Sequence, residues 1–172
     1  VSEPIDPVGA VAEPYALWAV ERREGMTLPC THEHIVLTDD LRSHERLKLF
    51  LLNLGHSWLA DQWLAEQRSL SETVLDAMSD SRTRADVEAV WQEEVLPVFD
   101  AMGMRVRAEE YLASVRERFG NPYLDHRLAD IAQNHIAKVK RRVLPLIELA
   151  NTLPLQIEQP RLRGLLSKRG LI

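Results

Sequence analysis

The longest apolar segment of the chain predicts a buried helix. From Leu41 to about Gln67 there is no proline, and the apolar residues almost encircle the helix that they predict. This pattern is typical of a helix inside a core rather than on a surface. Gly55 lies within the segment, where glycine costs about 1 kcal/mol relative to alanine. We therefore expect either a closely crossing helix or a ligand to occupy the space beside Gly55.

The rest of the chain predicts further helices and little else. Amphipathic segments recur from residue 69 to residue 168, and prolines interrupt them near Pro97 and Pro145. A short apolar run at residues 34–38 favours a strand. Residues 1–14 are rich in proline and predict irregular structure. The predicted fold class is therefore all-α, with one short strand near residues 34–38.

Composition narrows the class of protein. The chain has 172 residues, the size of one domain, and 45% of them are apolar, which is enough to build a core. No apolar run approaches the roughly 18 residues of a membrane span, and the N-terminus does not resemble a signal peptide. A single cysteine excludes an internal disulfide, and the net charge of −5 disfavours nucleic-acid binding. We expect a cytoplasmic protein without membrane or nucleic-acid partners.

The beginning of the chain favours a piece of a longer polypeptide. Residue 1 is valine rather than methionine, and no helix cap or clear periodicity precedes Tyr15. We expect the sequence to be either a fragment or the ordered part of a longer protein.

Four polar residues on the long helix form a candidate catalytic group. At about 100° per residue, the side chains of Glu45, Lys48, Asn53 and His56 fall within an arc of about 140°. A buried lysine that loses its proton is a good general base. An asparagine can hold an oxygen on which charge develops, and a histidine can orient that oxygen. A glutamate one turn before the lysine can tune it or carry its proton towards water.

The same four residues also have a structural interpretation. Lys48 can extend to water and pair with Glu45 three residues earlier. Asn53 and His56 can satisfy loop carbonyls. The residue pattern leaves both interpretations open.

A second candidate group follows Pro122, where the sequence predicts a helix that continues to Pro145. His126, Asn134 and Lys138 are spaced to share one face of it and are interpreted as lining a substrate pocket. The basic residues Lys140 and Arg141 are interpreted as a solvated stripe near the helix end. Arg142 is left open between the two interpretations.

The segment "CTHEH" brings together residue types that bind zinc, namely Cys30, His32, Glu33 and His34. Two histidines on one side of a strand favour chelation, but no second pair stands at metal-finger spacing. A surface loop is the favoured interpretation, and no metal site is predicted.

Three segments carry a resemblance to a known family. The segment "ERLKLFLLNLGHSWLA" resembles the motif of the polyol-specific long-chain dehydrogenases, the mannitol dehydrogenase family. That motif has a lysine, an asparagine five residues later and a histidine three after that, which Lys48, Asn53 and His56 match. Glu45 matches an acid common in the family. "RFGNPYLDHRLADIAQNHIAKVKRRVLP" resembles a second block, especially in the hexuronate reductases, and "EPYALWAVE" resembles the end of the family's N-terminal domain.

The resemblance implies an oxidoreductase that interconverts a secondary alcohol and a ketone with NAD or NADP and without a metal. Lys48 would take the hydroxyl proton during oxidation, while Asn53 and His56 would hold the reacting oxygen. The substrate would be a sugar alcohol, a ketose or a hexuronate. Asp130 stands where mannitol-specific enzymes tend to carry an arginine, which disfavours mannitol itself.

The resemblance also implies a domain organisation. The family's N-terminal Rossmann domain binds the cofactor, and this sequence contains no G-x-G-x-x-G phosphate loop. Residues 1–40 would be a linker or the tail of that absent domain. Residues 41–172 would be the helical substrate-binding and catalytic domain, similar to the C-terminal domain of 6-phosphogluconate dehydrogenase. The alternative is a helical binding or scaffolding domain that is derived from the family and lacks catalysis.

Overall fold

A computed structural model describes residues 17–28 and 30–172. The chain divides into two compact units, Val1–Glu45 and Arg46–Ile172. The prediction of irregular structure for residues 1–14 lies outside the described residues.

The described part of the first unit contains a small parallel sheet. Strand β1 (Trp18–Glu21) pairs with strand β2 (Ile35–Thr38) in a register that sets Trp18 opposite Ile35. Helix α1 (Leu41–Leu47) begins shortly after β2. The predicted strand near residues 34–38 is confirmed.

The second unit is helical, as the sequence predicts. Its first complete element is a π-helical segment, Lys48–Asn53, here called the first π segment. A second π segment, Val90–Val95, lies between two α-helices. The α-helices are α2 (Leu54–Glu66), α3 (Val74–Ser79), α4 (Ser81–Ala89), α5 (Leu96–Ala101), α6 (Arg105–Phe119), α7 (Leu128–Ile131), α8 (His135–Arg142), α9 (Leu144–Thr152) and α10 (Pro160–Lys168).

The core of the second unit forms around the helix that the sequence predicts to be buried. Leu51, Leu54 and Leu59 are fully buried, together with Trp91 and Phe119 from other helices. Burying each such side chain contributes roughly 1.5–3 kcal/mol.

Gly55 lies at a close helix crossing. A Cβ atom at this position would stand 2.5 Å from Cζ2 of Trp91 and 3.4 Å from Cε2 of Phe119. Only a residue without a side chain allows the indole of Trp91 to pack directly on the backbone of α2. Of the two alternatives stated for Gly55, the structure shows the crossing helix.

The first π segment is the main departure from the α-helix predicted between residues 41 and 67. The backbone N–H of Leu54 donates to the carbonyl of Leu49, five residues earlier, rather than four. The indole Nε1 of Trp91 donates to the carbonyl of Leu51 at 3.1 Å. The irregular register therefore gains a hydrogen bond from another helix, and this bond is not visible in a sequence pattern.

The second π segment ends next to Pro97, where the sequence predicts an interruption. Proline has no N–H to donate to the carbonyl four residues earlier, so a regular α-register cannot continue there. Within this segment, the buried carboxylate of Glu94 accepts from the backbone N–H groups of Arg161 at 2.8 Å and Leu162 at 2.9 Å. The carboxylate thereby caps the first turn of α10.

The prediction of one helix opening at Pro122 is wrong. The chain reaches α7 only at Leu128 and is interrupted again at Asn134, whose φ of 55° is left-handed. The carbonyl of His126 accepts from Val74 N at 2.9 Å, so the main chain there bonds to a distant segment rather than to its own helix. Asparagine tolerates the left-handed conformation better than most residues, which explains the break before α8.

Within the described part of the chain, no helix combines the length and the apolar character needed to cross a membrane.

Candidate functional site

One cavity brings together side chains from both predicted motifs. It has a volume of about 300 Å³. His56 comes from α2, His126 from the loop before α7, and Lys138 from α8. The remaining lining residues are Asp125, Arg127, Asp130 and Ile131. The sequence therefore named three of the residues that line this cavity, although it placed His126 on a helix rather than in a loop.

His56 is held between two rings. It stacks on Phe119 with ring centroids 4.5 Å apart, and it meets the ring of His126 edge-on at 5.8 Å. Its Nε2 atom is shielded from solvent and has no hydrogen-bond partner in the described chain. Burial lowers the pKa of His56 from 6.5 to about 3, with further contributions from His126 and Arg142. His56 is thus a neutral imidazole with one nitrogen that a bound molecule can engage.

Lys138 supplies a cation to the cavity wall. Its Nζ atom donates to the main-chain carbonyl of Ile131 at 2.8 Å, which points the ammonium group along the wall. Burial lowers the pKa of Lys138, and the neighbouring positive charges of Arg142 and Arg141 lower it further. Two of its three donors remain for a hydroxyl or carboxylate oxygen of a ligand.

The other charged groups of the cavity neutralise one another or bond locally. Arg127 pairs with Asp125 at 3.0 Å, and both side chains are mostly exposed. Asp130 accepts from Gln133 at 3.3 Å. The wall therefore carries both donors and acceptors among its side chains.

Of the two interpretations left open for Lys48, the structure shows the one in which its side chain extends to water. The residue is exposed, and Asn53 is only partly buried. The helix turns Phe50, Leu51 and Leu52 into the core and leaves the lysine in water, because desolvating an unpaired ammonium group costs several kcal/mol. Neither Lys48 nor Asn53 lines the cavity that contains His56.

The π register changes the relation between Lys48 and Asn53. On an α-helix, residues five apart diverge by about 140° around the axis. Hydrogen bonds that span five residues reduce this angle. Lys48 and Asn53 are therefore closer to the same side of the helix than a regular α-helix would place them. Glu45 is exposed and belongs to the first unit, and its catalytic role stays a prediction.

Asn134 does not join the predicted group. It is exposed at the start of α8 and lines a different cavity together with His135 and Lys140. Its carbonyl accepts from the backbone N–H of Lys138 at 3.1 Å, but the residue lines the other cavity, whereas Lys138 lines the cavity of His56. The side chain is therefore not part of the site around His56.

Arg142, which the sequence left open, is part of the structure around the site. Its Nη1 atom donates to the carbonyl of Asn53 at 3.2 Å and to Oγ of the buried Ser57 at 2.9 Å. It thus connects α8 to the end of the first π segment. Only its four-residue spacing from Lys138 hinted at this role, and the stretch "KVKRR" reads equally well as a solvated stripe.

The described residues do not fit two classes of bound group. Among residues 17–28 and 30–172, no cluster of three or more His, Cys, Asp or Glu side chains is arranged to hold a metal ion. The same residues contain no glycine-rich loop that leads from a strand into a helix, the usual support for a dinucleotide.

The described residues 46–172 form a helical unit with a small cavity lined by hydrogen-bonding and cationic side chains. The family model described as the mannitol dehydrogenase C-terminal domain matches residues 40–159. This chain belongs to that family. The family resemblance inferred from the motif of Lys48, Asn53 and His56 is confirmed.

The most similar relatives include altronate oxidoreductases from Escherichia coli. Those of E. coli O1:K1, E. coli O139:H28 and E. coli O9:H4 are each 36% identical over 112 residues. These residues are 65% of this chain and 22% of each relative. The similarity therefore covers about a fifth of the curated relatives.

Proposed function

We propose that this chain provides the substrate-binding and catalytic side chains of a nicotinamide-dependent oxidoreductase. The reaction interconverts a secondary alcohol and a ketone on a sugar alcohol or a sugar acid. The observation that carries the proposal is the cavity in which His56, from one family motif, meets His126 and Lys138, from another. The family membership and the altronate oxidoreductase relatives support the same reaction class.

In the proposed reaction, each candidate side chain has a separate role at the reacting oxygen of the substrate. Lys48 removes the hydroxyl proton during oxidation and returns it during reduction, and Glu45 carries that proton to or from water. Asn53 donates a hydrogen bond to the oxygen as negative charge develops on it. His56, neutral and with an unpaired Nε2, holds the same oxygen in place. A bound nicotinamide would supply the hydride chemistry.

The cavity recognises the rest of the substrate. Lys138 and His126 bind a second hydroxyl or a carboxylate, while the acids Asp125 and Asp130 accept bonds from further hydroxyls. An acid at position 130 favours a hydroxyl there over a carboxylate, because two like charges repel. This arrangement fits a polyhydroxylated chain of sugar size.

Because Lys48 is exposed, a further domain is needed to exclude water from its amino group. A general base works best when it is desolvated, and here the lysine is in water. We propose that a separate cofactor-binding Rossmann domain covers this face and completes the site. The match to only 22% of each curated relative is consistent with such a domain.

The first test replaces Lys48 with alanine in the whole protein that carries this chain and a cofactor domain. We expect turnover with NAD or NADP on a panel of hexuronates, ketoses and hexitols to fall by roughly 10²–10⁴-fold. Lys140→Ala, at an exposed lysine on α8, is the matched control and should keep normal turnover.

Two results would contradict the proposal in different ways. Normal turnover in Lys48→Ala would remove this lysine from the mechanism. No turnover in the unmodified protein on any member of the panel, combined with measurable binding of a sugar acid or polyol, would favour the non-catalytic binding domain instead.

A further inference from the structure

Arg142 has an environment that differs from that of an ordinary surface arginine. It is partly buried, and its only hydrogen-bond partners in the described chain are the Asn53 carbonyl and the Ser57 hydroxyl, both neutral. Among residues 17–28 and 30–172, no carboxylate lies within ion-pair distance of the Arg142 guanidinium. Removing a guanidinium from water without a counter-charge is costly, and these two acceptors bond the guanidinium without neutralising its charge.

The two acceptors lie at the junction between the first π segment and α2. Asn53 is the last residue of the π segment, and Ser57 is in the first turn of α2. One guanidinium nitrogen therefore spans the point at which hydrogen bonding changes from five-residue to four-residue spacing. The indole of Trp91 binds the Leu51 carbonyl two residues earlier. Two donors from other helices thus stabilise the same irregular turn.

The register of this turn decides where the candidate catalytic groups point. Relaxation to an α-helix would rotate Lys48 away from Asn53 towards the separation of about 140° that five α-helical residues produce. A π-helical turn is intrinsically unfavourable and persists where other contacts stabilise it. A donor at its C-terminal end therefore controls the angle between the base and the oxygen-binding amide.

We propose that Arg142 is a positioning residue that holds the first π segment in the register that directs Lys48 and Asn53 to one substrate oxygen. This inference rests on the proposed function. Arg142 acts through Asn53 and Ser57 and does not touch the substrate itself. Its positive charge also helps to keep His56 neutral, because it is one of the charges that lower the pKa of that histidine.

The test uses three variants and two measurements. Arg142→Gln removes the charge and the reach of the side chain, Arg142→Lys keeps the charge but not the planar fork, and Arg141→Gln is the matched control on the same helix. Arg141 is exposed and has the same charge. The first measurement is amide hydrogen exchange across residues 48–57 in this chain. The second is kcat in the whole protein with its cofactor domain.

We expect Arg142→Gln to accelerate exchange in residues 48–57 and to lower kcat by roughly 10- to 100-fold, the effect of a small misplacement of catalytic groups. Arg142→Lys should exchange more slowly than Arg142→Gln in the same residues and should have a higher kcat. Arg141→Gln should change neither. Because exchange is read without catalysis, it reports on the turn even if the chain proves inactive.

The outcomes separate this inference from the proposed function. Unchanged exchange in Arg142→Gln would overturn the role in holding the turn. Faster exchange with unchanged kcat, while Lys48→Ala loses turnover, would overturn the positioning role and leave the proposed function intact. Normal turnover in Lys48→Ala would instead defeat the proposed function, and the positioning role for Arg142 would fall with it. If Arg142→Gln does not fold, two milder single variants replace it. Arg142→Lys and Ser57→Ala each weaken the bonds of the guanidinium to α2, and their exchange and kcat are compared with those of Arg141→Gln.

Discussion

His56 shows how burial fixes the chemical state of one residue. The ring packs against Phe119 at 4.5 Å, and burial lowers its pKa, as do the charges of His126, Arg142, Arg118 and Lys138. Both effects disfavour a second proton on the imidazole. In the proposed reaction, a neutral histidine orients the substrate oxygen without competing with Lys48 for its proton.

The pKa of His56 predicts a pH-dependent loss of stability. The folded-state pKa of about 3 lies below the ordinary value of 6.5, so the unfolded chain binds more protons in between. The contribution of His56 is fully present above about pH 6.5 and is lost as the pH falls towards 3, at up to roughly 1.4 kcal/mol per pH unit. We expect urea unfolding at several pH values to show this slope in the native chain and a weaker one in His56→Leu. An unchanged slope would contradict the burial argument. His32→Gln, at an exposed histidine, is the control.

The first π segment and α2 show what depends on the element as a whole. Trp91 packs against the backbone at Gly55 and donates to the carbonyl of Leu51, so one side chain requires both the glycine and the irregular register. The sequence identified Gly55 as a position that needs an explanation. It did not identify Trp91 as the neighbour, because a helical period says nothing about which distant helix crosses it.

Alanine substitutions at two glycines separate this packing from helix propensity. We expect Gly55→Ala to lower the free energy of unfolding by about 1–3 kcal/mol or more, because its Cβ would overlap the fully buried indole of Trp91. Gly164→Ala lies in α10 with no atom within 4 Å of the new Cβ. It should raise the free energy of unfolding by about 0.5–1 kcal/mol. Equal effects in thermal or urea unfolding would rule out the close crossing.

At the scale of the second unit, a buried acid connects distant parts of the chain. Asp61 on α2 bonds to Nε2 of His135 at 2.9 Å, Nζ of Lys168 at 3.2 Å and Nε of Arg169 at 2.5 Å. Although burial alone would raise it, these bonds lower the pKa of Asp61 to about 2. One carboxylate thus joins α2, α8 and the end of α10 and supports the helices that carry Lys138 and Arg142.

We expect Asp61→Asn to destabilise the chain by roughly 3–5 kcal/mol, because it leaves three donors of a partly buried network without their negative partner. The stabilisation from Asp61 is present above about pH 3.8 and is lost as the pH falls towards 2, so the variant should lack this acid-dependent part. Asp86→Asn, at an exposed acid, should change the unfolding free energy by less than about 0.5 kcal/mol. Similar losses in both variants would argue against a special role for Asp61.

Several features of this protein follow from sequence alone. The apolar period between Leu41 and Gln67 indicates the central helix, and the spacing of Lys48, Asn53 and His56 indicates the family. Both are local properties, because a helical period and a motif spacing are written into neighbouring residues. The expectation of a neighbouring group at Gly55 has the same origin.

Only the tertiary structure decided how these parts combine. In the structure Lys48 is exposed, and Asn134 lines a different cavity from His56. His126 lies on a loop, and Arg142 donates a hydrogen bond to the carbonyl of Asn53. Each of these outcomes depends on contacts between segments that are tens of residues apart. Whether a polar side chain is buried, and which backbone carbonyl it binds, is set by the free energy of packing the whole unit, and a local pattern does not contain that information.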